Sequence, residues 1–254
     1  KLKVSLGFIE LALAFKFLSN ADLVEGWGIL KREIFIIIWV AIFLIMSFYL
    51  FGSYFGKLKF NYKSYSGWFF LLFSMYLISG LFESKNVRLL SGILPPEFYS
   101  VYDNKNDCPL GLNCFKDFQS GKDYAIEKDK IILLDFTGWA CANCRRMEEN
   151  VWSKPAIFKM LDTEFVIISL YVDDRSKLSE QEKFKYLNKS GNIQYINNVG
   201  RRWSLFQQIN FSNASQPYYV AMMPSGKILT EPIQYVSEKN FENWLRTSIE
   251  ESIK

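Results

Sequence analysis

Two cysteines, Cys141 and Cys144, stand where an apolar stretch of the sequence gives way to a charged one. The preceding residues, 130–136, are rich in β-branched side chains and have the length of a buried central strand. Residues 137–139 predict a turn, and the charged run 145–150 predicts a helix that begins at or just after the first cysteine. A helix N-terminus favours a thiolate, which is the form that attacks disulfides. The spacing therefore favours thiol–disulfide redox chemistry.

Two other kinds of site use a CxxC pair. A c-type haem requires His after the second cysteine, where this chain has Arg145, and the sequence contains no His. A zinc site would need Cys108 and Cys114 as further ligands, and their separation is wider than the usual ligand spacing. Redox chemistry is the favoured interpretation, and a four-cysteine zinc site is the alternative.

The composition narrows the possible functions further. The 254 residues suffice for one large domain or two smaller ones. A net charge of +4, without a basic stripe interleaved with aromatics, argues against a nucleic-acid-binding protein. The absence of His excludes His-based triads, metal sites and proton shuttles. Because the chain starts at Lys1 without Met and within an apolar pattern, we expect it to be part of a longer protein.

Three apolar stretches, residues 4–19, 34–51 and 67–82, predict membrane-spanning helices. The second is uncharged and long enough to cross a bilayer, and the third is slightly shorter than the roughly 20 residues needed. Aromatic residues at their ends favour spans over the alternative of buried helices in a soluble core. Glu10 would lie inside the first span, where a carboxylate marks either a functional site or a contact with another helix.

The charges between these stretches predict their orientation. Lys57, Lys59 and Lys63 separate the second and third stretches without an acidic residue, which predicts a cytoplasmic loop. The third span then runs outward, and everything after Phe82 lies on the extracytoplasmic side. Disulfides form and persist in that compartment.

The sequence is predicted to divide into three parts. Residues 1–83 form a membrane domain, residues 84–114 a linker and a segment leading into the next domain, and residues 115–254 an α/β domain. In the middle part, Cys108 and Cys114 most simply form a local disulfide, and a second redox relay is the alternative.

The last part is predicted to alternate helices and strands. A helix over 115–125 precedes the strand before the cysteines, and the CxxC helix is broken near Pro155, resumes over 156–161 and leads to a strand over 165–172. The later elements are exposed helices over 179–187 and 201–209, a hairpin of strands 217–222 and 227–230, and a closing helix over 239–249. This order is the thioredoxin arrangement.

The motifs LLDFTGWACANCRRMEENVW, YVDDR and SQPYYV resemble the C-terminal thioredoxin-like domain of the DsbD family of transmembrane thiol–disulfide reductases. The stretch GFIELALAFKFLSNADL and the next two apolar stretches resemble the end of that family's membrane domain. The expected fold class is therefore an α-helical transmembrane segment of three spans followed by an α/β thioredoxin-like domain. One departure is that no span contains a cysteine. The membrane relay pair must lie upstream, or this chain cannot move electrons across the membrane by itself.

The resemblance implies a multi-pass protein of the bacterial inner membrane whose C-terminal domain lies in the periplasm. Electrons would pass from cytoplasmic thioredoxin, through a membrane-embedded cysteine pair, to this domain. An N-terminal periplasmic acceptor domain, missing from this chain, would take them on to disulfide isomerases and cytochrome c maturation proteins. The Cys141–Cys144 disulfide is the redox group, and neither a metal nor another cofactor is implied.

The resemblance also implies roles for residues around the cysteines. Cys141 is the expected nucleophile that forms a mixed disulfide, and Cys144 resolves it. Asp135 and Glu148 match the family's two acidic positions, and Asp135 would relay the proton of Cys144 and raise the thiol pKa by like-charge repulsion. The alternatives are a static disulfide, an Asp hydrogen-bonded at a strand end, and a solvated Glu on a helix face.

Three further residues are expected to lie at the substrate-binding surface. Pro217 resembles the cis-proline that faces CxxC in thioredoxin folds, and the backbone of Gln216 would pair with the substrate chain as a short β-bridge. Trp139 would shield the disulfide from water. The alternatives are a trans proline that starts a strand and a Trp packed in the core.

The sequence thus favours a membrane-anchored, periplasm-facing thiol–disulfide reductase. Two other hypotheses stay open, namely a zinc-stabilised, non-catalytic membrane adaptor that uses all four cysteines and an oxidase or isomerase of the same fold. The sequence leaves the redox direction open because the reduction potential depends on local electrostatics.

Overall fold

The computed structural model describes residues 2–54, 57–58, 64–82, 84–102, 108–188 and 190–254. The chain divides into two compact units, Lys1–Asn104 and Lys105–Lys254. Lys59 and Lys63 of the predicted cytoplasmic loop lie outside the described residues. Glu83, the last residue of the predicted membrane domain, and residues 103–107 of the predicted linker also lie outside the described residues.

Three helices build the first unit, α1 (Leu2–Glu25), α2 (Arg32–Phe51) and α3 (Tyr65–Phe82). A short antiparallel pair, β1 (Ser53–Tyr54) and β2 (Lys57–Leu58), lies between α2 and α3. The contact between these two helices is aromatic, since Phe43 of α2 meets Phe70 and Phe73 of α3 at centroid distances of 5.7 and 4.9 Å.

Two helices in the described part of the chain, α2 and α3, are long and apolar enough to cross a membrane. The prediction of three spans is therefore supported for the second and third spans only. α1 covers the first predicted span as one continuous helix, but Glu10 and Lys16 interrupt its apolar sequence. Charged side chains in hydrocarbon cost free energy, and Glu10 is exposed in this unit.

The first part of the stretch predicted as a linker belongs to the first unit, which extends to Asn104. A 3₁₀ helix, Ser84–Leu90, follows α3. Beyond it, the Tyr99 hydroxyl donates a hydrogen bond to Asp22 at 2.6 Å, and the Ser100 hydroxyl donates one to Glu33 at 2.6 Å. Asp22 is fully buried, so these contacts attach residues 99–100 to the α1–α2 connection.

A four-stranded sheet forms the centre of the second unit, in the order β3 (Cys114–Phe115), β5 (Phe165–Tyr171), β4 (Ile131–Thr137) and β8 (Tyr218–Met222). The strands β3, β5 and β4 are parallel, and β8 runs antiparallel to β4. Every residue of β4 and β5 is buried, which explains why their sequences are apolar almost throughout.

Helices cover both faces of this sheet, namely α4 (Phe118–Lys128), α5 (Ala142–Met147), α6 (Pro155–Thr163), α7 (Val199–Phe211) and α8 (Glu238–Ser252). Because successive strand residues point to opposite faces, Leu133 joins the core that contains Trp152 of the CxxC region, whereas Leu134 joins the core that contains Trp203. Asp135 shares the face of Leu133. The pleat therefore directs its carboxylate toward the segment that carries the cysteines.

The predicted break after the CxxC helix is confirmed. α5 continues into a π-helical turn, Glu148–Trp152, and α6 then starts at Pro155, which suits a first helical turn because it has no N–H to pair. The helices predicted over 115–125, 201–209 and 239–249 are also present. The first of them begins at Phe118, with Asp117 as its N-cap.

The helix predicted over 179–187 is wrong. This stretch ends in β6 (Phe184–Leu187), which forms an antiparallel hairpin with β7 (Ile193–Ile196). Most residues of this hairpin are exposed, and its Tyr186 and Ile196 pack with Leu205 of α7, a contact that the local sequence pattern does not show. The strand predicted over 227–230 is reduced to an isolated bridge between Ile228 and Met222.

Candidate active site

Cys141 and Cys144 form a disulfide at the start of α5. Cys141 is the N-cap of the helix, and its sulfur accepts a hydrogen bond from the backbone N–H of Cys144 at 3.2 Å. Cys144 is 1% exposed, whereas Cys141 is partly accessible. An incoming sulfur can therefore reach Cys141 and is kept from Cys144.

A cluster of buried charges lies beside this disulfide. Asp135, Arg145 and Glu148 are all at least 96% buried. The Arg145 guanidinium forms an ion pair with Glu148 at 2.8 Å and donates a hydrogen bond to the Thr137 hydroxyl at 3.3 Å. Asp135 accepts a hydrogen bond from the Ser169 hydroxyl at 3.1 Å. The structure thus brings the two predicted acidic residues together around a cation.

Burial decides how these carboxyl groups titrate. It raises the pKa of Asp135 to about 7, against the opposing effects of Arg145 and the Ser169 hydrogen bond. It raises the pKa of Glu148 to about 8, although Arg145 again favours the ionised form. One guanidinium faces two carboxyl groups, so the cluster is neutral when it holds one proton. The cluster therefore holds at least one proton at neutral pH.

Trp139 is held from several sides just before the cysteines. Its ring stacks on Tyr171 at 3.8 Å, and the Lys116 ammonium lies 5.1 Å from the ring centroid. Its indole N–H donates to Asp174 at 3.2 Å, and its backbone N–H donates to Asp173 at 2.8 Å. The Trp139 side chain is therefore half-buried and held in one orientation just before the disulfide. That it shields the disulfide from water stays a prediction.

Pro217 directly precedes the edge strand β8, at the end of the sheet where β4 leads into the CxxC segment. The Gln216–Pro217 peptide is cis, as the resemblance predicts. Tyr218 pairs with Phe136 in the antiparallel β4–β8 ladder, so the next position, Pro217, falls opposite Thr137 at the end of β4. Pro217 is buried and Gln216 is half-buried. Their role in binding a substrate chain stays a prediction.

Comparison with known proteins agrees with this fold. Residues 118–249, about half of the chain, match the family described as thioredoxin-like domain. The chain belongs to the thioredoxin-like domain family. No curated protein matches the sequence.

Several solved structures are similar to the thioredoxin-like domain. A thioredoxin from Thermus thermophilus is 17% identical over 54% of this chain and 87% of its own, with a TM-score of 0.39. A DsbH oxidoreductase is 12% identical over 55% of this chain and 85% of its own, with a TM-score of 0.38. A thioredoxin-fold protein from Helicobacter pylori is 16% identical over 50% and 86%, with a TM-score of 0.30.

The second unit carries another disulfide, between Cys108 and Cys114, just before the residues that match the thioredoxin-like family. Cys108 is buried, and the loop that this disulfide closes places Leu110 and Leu112 against the core that contains Met147. All four cysteines are joined in two disulfides in this structure, and the alternative of a zinc site at the four cysteines stays a hypothesis. The alternative of a second redox relay at Cys108 and Cys114 stays untested.

A thioredoxin-like domain with a disulfide-bonded CxxC pair at a helix start is the arrangement of a thiol–disulfide oxidoreductase. Three residues around this pair escaped prediction, namely Arg145, Asp173 and Asp174. Arg145 resembled an exposed member of a charged helix, and both aspartates bind Trp139, which is more than 30 residues away in sequence. The sequence signals for the aspartates are a pair of acidic residues directly after a buried strand and their place in the YVDDR motif, to which no role was assigned.

Proposed function

We propose that this chain is a membrane-anchored, periplasm-facing thiol–disulfide reductase of the DsbD type. It passes electrons from an upstream membrane cysteine relay, fed by cytoplasmic thioredoxin, to periplasmic acceptors such as disulfide isomerases and cytochrome c maturation proteins. The observation that carries the proposal is the Cys141–Cys144 disulfide beside the buried Asp135, Arg145 and Glu148.

The exchange follows from the different accessibility of the two sulfurs. In the dithiol form, Cys141 attacks an acceptor disulfide, a bond forms between its Sγ and one acceptor sulfur, and the other acceptor sulfur leaves and takes a proton. Cys144 then gives up its proton and attacks Cys141 Sγ, which forms the intramolecular disulfide and releases the second acceptor thiol. The acceptor gains two electrons and two protons, and an upstream dithiol must reduce the pair again.

The buried carboxyl groups favour the direction of a reductase. A strong disulfide oxidant is one whose reduced form is stabilised. Here Cys144 is 1% exposed and the buried Asp135 and Glu148 belong to the same part of the domain, so burial disfavours a Cys144 thiolate and ionisation of either carboxyl group would add repulsion. The reduced form is therefore less stabilised, and its tendency to give up electrons is greater. Asp135, whose pKa is about 7, can in its ionised form accept the proton that Cys144 loses.

The contacts within the first unit support the proposed topology. The Tyr99–Asp22 and Ser100–Glu33 hydrogen bonds join the α1–α2 connection to the segment after α3, so both belong to one end of the unit. The lysine-containing connection between α2 and α3 leaves the opposite ends of these helices. If that connection is cytoplasmic, the segment leading to the thioredoxin-like domain is periplasmic.

The test is the reduction potential of the Cys141–Cys144 pair in the purified full chain. The chain in detergent is equilibrated with glutathione or dithiothreitol buffers, its thiols are trapped, and mass spectrometry separates this pair from Cys108–Cys114. We expect a potential nearer to the roughly −270 mV of thioredoxin than to the roughly −120 mV of a strong oxidant. A value near −120 mV would assign an oxidase, and undiminished disulfide reduction by Cys141→Ser would exclude the mechanism.

A further inference from the structure

The turn before Cys141 is bound by a carboxylate from the segment that follows the neighbouring strand β5. β5 ends at Tyr171, and Asp173 follows two residues later. Its Oδ1 accepts a hydrogen bond from the backbone N–H of Trp139 at 2.8 Å, and its Oδ2 accepts one from the N–H of Ala140 at 3.1 Å. One side chain thus binds two successive N–H groups directly before the nucleophilic cysteine.

Two glycines, Gly138 and Gly200, make room for the close contact between Asp173, Asp174 and their neighbours. A Cβ atom on Gly138 would lie 2.9 Å from Asp173 Oδ2 and 3.1 Å from its Cγ, so any larger residue would push the carboxylate away. On the other side, a Cβ on Gly200 would lie 2.6 Å from the backbone N of Asp174. The two glycines let the turn and α7 approach the acidic pair closely.

Asp174 holds the side chain of the same turn. Its Oδ2 accepts the indole N–H of Trp139 at 3.2 Å, while its Oδ1 accepts the backbone N–H of Ser176 at 2.7 Å. Since the Trp139 ring also stacks on Tyr171, the indole is fixed from two directions. Tyr171 at the end of β5, together with Asp173 and Asp174 after it, therefore holds the turn that precedes Cys141 in one conformation.

We propose that Asp173 is a positioning residue that sets the redox properties of Cys141, a role that rests on the proposed function of the cysteine pair. Its carboxylate orients the peptide groups of Trp139 and Ala140 toward itself, so their positive ends are not directed at the reacting sulfur. It also adds a negative charge next to the turn that leads into Cys141. Both effects disfavour the thiolate and favour transfer of electrons to a partner.

The first experiment neutralises this charge with almost no change in shape. In the full chain, Asp173→Asn is expected to shift the equilibrium of the Cys141–Cys144 pair with glutathione about tenfold toward the dithiol, which is a rise of ~30 mV in potential. The alkylation of Cys141, followed against pH in a Cys144→Ser background, is expected to show a lowered thiol pKa. Asp162→Asn is the matched control, because Asp162 is exposed on α6 by the opposite ends of β4 and β5.

The second experiment moves the same carboxylate without changing its charge. Gly138→Ala alone is expected to shift the equilibrium in the same direction as Asp173→Asn, because its methyl group displaces the carboxylate from the turn. In an Asp173→Ala background the space is empty, so Gly138→Ala should add little. Such non-additivity is the signature of a direct interaction between the two positions.

The outcomes separate this proposal from the function on which it rests. If the wild-type pair does not titrate at any accessible potential, the proposed function fails. If the wild-type pair titrates and reduces disulfides while Asp173→Asn stays within twofold of it, or shifts toward the disulfide, the role of Asp173 is overturned. Additive effects of Gly138→Ala and Asp173→Ala would overturn it as well, provided that the β4 and β5 amides of each variant exchange as slowly as those of the wild type.

Discussion

Arg145 forms its ion pair with Glu148 at 2.8 Å inside the thioredoxin-like domain, with side chains that are only 3% and 6% exposed. The same guanidinium donates to the Thr137 hydroxyl and, at 3.5 Å, to the carbonyl of Gly138. It therefore connects the helix after the cysteines to the end of β4 and supplies the positive charge that Asp135 and Glu148 face. Burial makes this pair costly to break.

Replacing this cation should destabilise the domain strongly. Arg145→Met leaves two carboxyl groups buried without a positive charge, and breaking a buried pair in this way costs about 3–5 kcal/mol. Hydrogen exchange of the β4 and β5 amides in the full chain measures the loss, because core amides report the unfolding of their unit. Arg145→Lys keeps the charge and should lose less. Equal losses in both variants would mean that packing, rather than charge, matters here.

The acidic pair predicts a stability that falls as the pH rises. Folding raises the pKa of Asp135 from 3.8 to about 7 and that of Glu148 from 4.5 to about 8. The folded state thus binds these protons more tightly than the unfolded state. The resulting stabilisation is complete below about pH 4 and is lost as the pH rises through about 7 to 8. The loss is on the order of a few kcal/mol for each group.

Glu148→Gln should therefore flatten this pH dependence, while Asp162→Asn should preserve it. The measurement is the exchange free energy of the β4 and β5 amides between pH 5 and pH 8.5, corrected for the intrinsic pH dependence of exchange. A wild-type stability that rises over this interval would contradict the direction of both shifts.

The two cysteines are expected to differ in the intermediates that they leave. Cys144→Ser should accumulate a mixed disulfide between Cys141 and a disulfide-bonded peptide, because the resolving thiol is missing. Cys141→Ser should form almost none, since Cys144 is buried. Non-reducing gels and mass spectrometry of the adduct distinguish the two variants. A Cys141→Ser chain that forms the adduct as readily would reverse the assignment of nucleophile.

The Cys108–Cys114 disulfide is expected to act as a brace. The double variant Cys108→Ala/Cys114→Ala should keep its disulfide reductase activity and lose about 2–4 kcal/mol of stability, as is typical when a disulfide is removed. Activity in the full chain and amide exchange of β5 test the two parts separately. Loss of activity in a chain whose exchange is unchanged would instead favour the relay.

Labelling in cells can test the proposed topology. Tyr65 is the first residue of α3 and is 89% exposed. Leu89 lies after the end of α3 and is 88% exposed. In a Cys141→Ser/Cys144→Ser chain, Leu89→Cys should react with a membrane-impermeant maleimide in intact cells. Tyr65→Cys should react only after the membrane is permeabilised. The reverse pattern would place the thioredoxin-like domain in the cytoplasm.

Local pattern was sufficient to predict much of the thioredoxin-like domain. β4 and β5 are apolar because both faces of the sheet are covered. The spacing of the two cysteines indicated that a helix starts between these strands in the sequence. The hairpin of β6 and β7 was missed because most of its residues are exposed and because the packing of Tyr186 and Ile196 on Leu205 of α7 is not visible in the local sequence. Arg145 was missed for a related reason, since a charged residue within a charged run gives no sign that it is buried with a partner from the preceding strand.

The π-helical turn at Glu148–Trp152 bears on how this chain aligns with its relatives. A π turn closes its hydrogen bonds over five residues instead of four and so holds one residue more than an α-helical turn. A relative whose CxxC helix is α-helical throughout should therefore show a single-residue gap between the cysteines and the proline that starts α6. The presence or absence of that gap would distinguish chains in which the acidic residue corresponding to Glu148 is buried from chains in which it is exposed to solvent.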